Sequence, residues 1–139
     1  MAMSREEILA LVDAMYETSG RGDFAAQAEL LADDFVVSEG SHLPMAGRFT
    51  GKAALQKLYS EVMSLFDVAS IERLATAVSD DGTAICELRL HFAHPGLEPA
   101  DLTELFRFRD GKCYEIKPYY FDTAALNAAV AAKRATVAA

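Results

Sequence analysis

The apolar residues of this chain change their spacing at Asp67. Before that point they recur at three- and four-residue steps, and after it at every second residue. An α-helix turns once in roughly 3.6 residues, whereas a strand alternates faces with a period of two, so the first half predicts helices and the second half strands. Helices followed by a run of strands, not alternating with them, predict an α+β fold. A curved antiparallel sheet wrapped over the N-terminal helices would enclose a pocket.

Local signals sharpen this outline. "SREE" is a capping box, with Glu7 three residues after Ser4, and Ile8, Leu11, Val12 and Met15 form the stripe of the helix it opens. Gly20 and Gly22 end that helix, and Asp23 caps a second one, "DFAAQAELLA". "DDFVVSEG" reads as a short strand and "SHLPMAGRFTG" as a loop. A third helix carries Leu55, Leu58, Tyr59, Val62 and Phe66. "VASIERLATAVSD" and "TAICELRLHFAH" are strands joined at Asp81-Gly82, and a second hairpin turns at Asp110-Gly111. Pro118 is expected to interrupt the last strand's ladder. Asp122 is placed to cap a final helix, "TAALNAAVAAK", which is expected to fray after Lys133, leaving 134–139 as a tail. Without repeats or a low-complexity linker, residues 1–139 read as one domain.

Totals exclude several functions. A chain of 139 residues, 52% of them hydrophobic, suits a domain with a real core and not a disordered one. A net charge of −8 argues against nucleic acid or an anionic membrane as partner. No segment approaches the about 20 apolar residues that span a bilayer. The N-terminal segment acquires acidic residues at once and lacks a signal peptide's apolar centre, so it does not read as a signal peptide, and the two cysteines, read as reduced, lead to the expectation of a cytoplasmic protein. Cys86 and Cys113 lie on different predicted strands and read as reduced core residues. His91 and His94 straddle a strand end with no supporting ligand cluster, so no metal is implied, and the absence of a P-loop or dinucleotide fingerprint implies no organic cofactor.

One residue breaks the pattern. In "LTELFRFRDGKCYEI" the period of two puts Leu102, Glu104, Phe106 and Phe108 on one face. A two-residue turn at Asp110-Gly111 would set Phe106 opposite Glu115 and Glu104 opposite Lys117. Two readings of this carboxylate stay open: an ion pair with Lys117 at the sheet rim or a dimer surface, or a pocket wall holding Glu104 for chemistry.

The segments "GDFAAQAELLADDFVVSEG", "LPMAGRFTGKAALQKLY" and "LTELFRFRDGKCYEIKPYYFDTAAL" resemble the SnoaL-like superfamily, the nuclear-transport-factor-like fold that includes ketosteroid isomerases and polyketide cyclases. The resemblance covers roughly residues 8–127 and implies a cone-shaped α+β barrel of cystatin-like type. It also implies roles for particular residues. Glu39 falls where ketosteroid isomerases carry a general-base Asp. Glu104 falls where they keep a protonated Asp that donates to the substrate's oxyanion. Both are one methylene longer than their counterparts. The oxyanion-binding Tyr of the first helix aligns with Met15, and Tyr16 follows it, turned roughly 100° around the helix.

Met15, Tyr16, His42, Tyr59, Phe106, Lys117, Tyr120 and Asp122 complete the candidate ligand-binding set. The expected activity is proton transfer on a small apolar carbonyl compound, as in an isomerase, cyclase or dehydratase. The alternative is a ligand-binding or assembly domain of the same fold without catalysis. The opposite face of the hairpin mixes Leu105, Ile116, Arg107 and Tyr114, which suits a homodimer formed through the sheet.

Overall fold

A computed structural model describes residues 2–138. Its elements run α1 (Arg5–Gly20), α2 (Phe24–Ala28), β1 (Leu31–Glu39), β2 (Gly47–Thr50), α3 (Ala54–Leu65), β3 (Val68–Val78), β4 (Ala84–Phe92), β5 (Ala100–Arg109), β6 (Lys112–Tyr120) and α4 (Ala124–Ala138). The six strands form one sheet in the order β2-β1-β6-β5-β4-β3. The fold is α+β, with the sheet curved and not closed into a barrel: β2 and β3 are its two edges. Nor is the sheet wholly antiparallel, because β1 runs parallel to β6. β1 enters the sheet before the meander and is rejoined only by its last strand, so the long route through α3 and β3–β5 permits parallel pairing.

The capping box opens α1 as its sequence predicts, with Ser4 and Glu7 each accepting the other's backbone N–H. Asp23 caps α2 by accepting from the N–H of Ala26. That helix is shorter than expected. Its end tightens into i−3 bonds, Leu30 N–H donating to the Gln27 carbonyl, and Leu31 turns into the sheet, where the Cys113 N–H donates to the Leu30 carbonyl at 2.8 Å. The segment read as one loop contains β2, a four-residue edge strand pairing Thr50 with Val36 and Gly47 with Glu39. The Asp81-Gly82 connection spans five residues, with Val78 and Ala84 as the closing pair.

The β5–β6 hairpin begins as predicted. Asp110 and Gly111 both have positive φ, 53° and 77°, as a two-residue primed turn requires, and Arg109 pairs with Lys112 and Phe108 with Cys113. A bulge at Tyr114 then shifts the register, so that Phe106 pairs with Ile116 and Glu104 with Pro118. Without it, Glu115 and Lys117 would share the concave face with Phe106. With it, that face receives Ile116, only 3% exposed, and the buried Pro118. The expected pairing of Glu104 with Lys117 is thus corrected, and Ile116 moves from the convex row to the core. Pro118 sits inside β6 without ending it. Tyr120 pairs with Leu102 on the concave side and Tyr119 with Thr103 on the convex side.

The core lies between the concave face and the helices, with Val12 from α1, Phe35 from β1, Leu88 from β4 and Leu126 from α4 all essentially inaccessible. Each such side chain contributes about 1.5–3 kcal/mol by leaving water. Cys86 and Cys113 are free and buried in this core. α4 continues beyond Lys133 to Ala138, where fraying was expected. The Lys133 ammonium donates to the Met63 carbonyl and to Asp67, tying the helix to the end of α3. Ala139 and Met1 lie outside the described residues.

Candidate functional site

Period-two alternation carries Phe35, Val37 and Glu39 of β1 to the inner face and Val36 and Ser38 to the outer one. The same alternation carries Leu102, Glu104 and Phe106 of β5 inward. β6 lies between these strands. Pro118 is the cross-strand partner of Glu104, and the parallel register, extended two residues past the Val37–Ile116 pair, brings Glu39 to the other flank of Pro118. Two carboxyl groups distant in sequence therefore meet on one concave surface. They line a cavity of about 350 Å³, walled by Leu55, Leu58 and Val62 of α3, by the first half of β3, and by the ends of α1 and α2.

The carboxyls have different surroundings. Glu104 Oε1 accepts a hydrogen bond from the Tyr16 hydroxyl at 2.8 Å. Tyr16 packs edge-to-face with Phe106, with ring centroids 5.7 Å apart. Glu39 is 7% exposed, and its Oε1 is buried without a hydrogen-bond partner among the described residues. A buried carboxylate is costly, so the site favours the neutral form. Burial, then the nearby Glu104, pushes Glu39 up to about 8. Burial likewise raises Glu104, and the Tyr16 hydrogen bond opposes that rise. The Tyr16 and Tyr120 hydroxyls are raised chiefly by burial, then by the neighbouring acids, and stay protonated donors.

Of the residues expected at the site, Glu39, Glu104, Tyr16, Tyr59 and Tyr120 line this cavity. The others do not. Met15 is in the core at 3% exposure, and the next residue, one helical step around, supplies the hydroxyl. Phe106 lies behind Tyr16 at 2% exposure. Lys117 faces the convex side across from Leu105 because of the bulge. His42 is exposed in the turn after β1, packed over Gly40. Asp122 is exposed and accepts from the Ala124 N–H at 3.0 Å, a local turn at the start of α4.

Among the lining residues not singled out from the sequence are Gln27 and Arg73. Gln27, 5% exposed, donates to the Met15 carbonyl and fastens α2 to α1. Arg73 pairs with Leu88, an inner-face residue of β4, and its guanidinium lies 5.0 Å over the Tyr16 ring. The signal for Arg73 was the one that revealed Glu104, a charge in step with the apolar row of its strand, here begun by Ile71. Among the described residues, no group of three His, Cys, Asp or Glu is placed to hold a metal ion, and no helix is long and apolar enough to cross a membrane.

Known structures share this architecture. Bal32a, from a soil-derived mobile gene cassette, superposes with a TM-score of 0.77 at 19% identity, over 89% of this chain and 96% of its own. An NTF2-like protein from Burkholderia xenovorans LB400 gives 0.73 at 24% identity, over 93% and 99%. A protein from Sinorhizobium meliloti assigned as a polyketide cyclase gives 0.63 at 22%, over 78% and 93%. No curated protein matches this sequence. Residues 12–116 match the SnoaL-like domain, most of the length of the chain, and the protein belongs to that family.

Proposed function

We propose that the cavity transfers protons on an apolar carbonyl compound, in a reaction of isomerase, cyclase or dehydratase type. One observation carries this reading: two carboxyl groups share an apolar cavity, and one of them has a buried oxygen without a hydrogen-bond partner among the described residues. The SnoaL-like fold and the S. meliloti neighbour support the wider class of isomerase- and cyclase-type enzymes.

In the proposed reaction the Glu39 carboxylate removes a proton from the carbon next to the carbonyl, and the electron pair moves onto the carbonyl oxygen. Glu104, neutral and hydrogen-bonded to Tyr16, donates to that oxygen as charge develops. Where the substrate carries a β,γ double bond, deprotonation gives a dienolate, and returning the proton from Glu39 to its γ-carbon shifts the double bond into conjugation with no net oxidation or reduction. The aliphatic wall keeps water from competing for both groups.

The test is deuterium exchange from D2O into the α-carbon of 1-tetralone, a small apolar ketone. Exchange should exceed buffer and should rise with pH as Glu39 loses its proton near 8. Glu39→Gln should reduce it to the buffer rate while the ketone still binds. Wild-type exchange at the buffer rate with the ketone bound would sink the proposal and favour a binding domain without catalysis.

A further inference from the structure

The two acids account for the floor of the cavity and leave its single cation unexplained. Among the described residues that line the cavity, Arg73 alone is basic. It projects from β3, an edge strand whose first half lines the cavity together with the end of α1. Its guanidinium is held in three ways. It lies over the Tyr16 ring, Nη2 donates to Asp13 Oδ1 at 2.7 Å, and Nη1 donates to Thr76 Oγ1 at a long 3.3 Å. These bonds use two of the five N–H donors a guanidinium carries. The Asp13 side chain is 65% exposed, and a pair of that kind contributes about 0–1 kcal/mol, little enough for another anion to replace it. Tyr16 spans the site: its ring face meets Arg73 and its hydroxyl meets Glu104.

We infer that Arg73 is a specificity residue that selects ligands carrying a carboxylate on an apolar, carbonyl-bearing body. The inference rests on reading the cavity as a ligand site and adds the ligand's chemical class. The apolar body lies against Leu58 and Val62, the carbonyl turns toward Glu104, and the carboxylate takes the fork of Arg73 in place of Asp13. A guanidinium matches a carboxylate with two parallel hydrogen bonds, which a neutral ketone cannot accept in the same way. The chain's net charge of −8 does not preclude an anionic ligand, because charges beyond about 8 Å are largely screened at physiological salt, whereas Arg73 is in contact.

A purely structural Arg73, serving only to tie β3 to α1 through Asp13, makes different predictions. The test compares two probes of nearly equal shape, 2-naphthoate and the neutral 2-acetylnaphthalene, by isothermal titration. Wild type should bind the naphthoate roughly tenfold or more tightly than the ketone, as expected for hydrogen bonds between charged groups. Arg73→Gln should abolish that preference while leaving the ketone's affinity within twofold. Asp13→Asn, which frees the guanidinium, should tighten naphthoate binding severalfold and leave the ketone unchanged. Equal affinity for the two probes in wild type, a preference that survives Arg73→Gln, or no binding of either probe would each overturn the inference. The readout is binding alone, so failure of α-carbon exchange with the naphthoate preference intact would refute proton transfer and leave Arg73's role standing.

Discussion

The two faces of the sheet treat the same residue types in opposite ways. On the convex face, charges neutralise one another. Arg107 meets Glu115 at 2.6 Å, Arg89 meets Asp101 at 2.9 Å, and Arg109 meets Asp34 at 2.6 Å. On the concave face, among the described residues, Glu104 has only a tyrosine hydroxyl and one oxygen of Glu39 has no partner. Glu104 and Glu115 stand on neighbouring strands, yet one is shifted toward the neutral acid by burial and the other is held beside a guanidinium. A glutamate's chemistry here depends on which face it occupies, and a strand decides that by one residue of register.

Of the two neighbouring glutamates, Glu104 and Glu115, the large effect is expected at Glu104. Glu104→Leu should lower α-carbon exchange by roughly 10²-fold or more, the usual cost of removing an oxyanion donor. Glu104→Gln, which still donates, should keep part of the activity, and Glu115→Gln on the convex face should change exchange less than twofold. Equal losses for both Glu104 variants would show that its charge matters and not its proton.

A second prediction concerns stability. In the fold Glu39 holds its proton up to about 8, against an ordinary 4.5. Between those values the folded state binds more protons than the unfolded chain, so this group's contribution to stability, full below 4.5, is lost as pH rises toward 8. Glu39→Gln removes that loss. Its melting temperature should match wild type at acid pH and exceed it progressively up to pH 9, as the difference in unfolding free energy grows to on the order of a few kcal/mol. A parallel pH dependence for the two proteins would show that Glu39 is not held protonated.

The smallest effect on activity is expected from the convex face. There Ile85 and Tyr119, 39% and 53% exposed, lie among the ion pairs, and we propose that this mixture meets a second copy of the chain. Sedimentation at micromolar concentration should give a dimer, and Ile85→Asp should shift it toward monomer while the concave site keeps its exchange activity. A wild-type monomer would remove the proposal.

The sequence by itself determined what depends on neighbours along the chain. The switch from helix to strand at Asp67, between α3 and β3, the capping box at Ser4, the primed turn at Asp110-Gly111 and the inward face of Glu104 all follow from backbone geometry over a few residues, and the structure bears each of them out. Tertiary structure decided what depends on register between distant strands. The bulge at Tyr114 moved Lys117 away from Glu104, because burying Ile116 and Pro118 is cheaper than burying Glu115 and Lys117. The parallel pairing of β1 with β6 brought Glu39 toward Glu104 across Pro118. The packing of α1 on the sheet chose Tyr16 over Met15 as the residue that reaches the acid. Such choices minimise buried charge over the whole sheet at once, and no local window of sequence contains that sum.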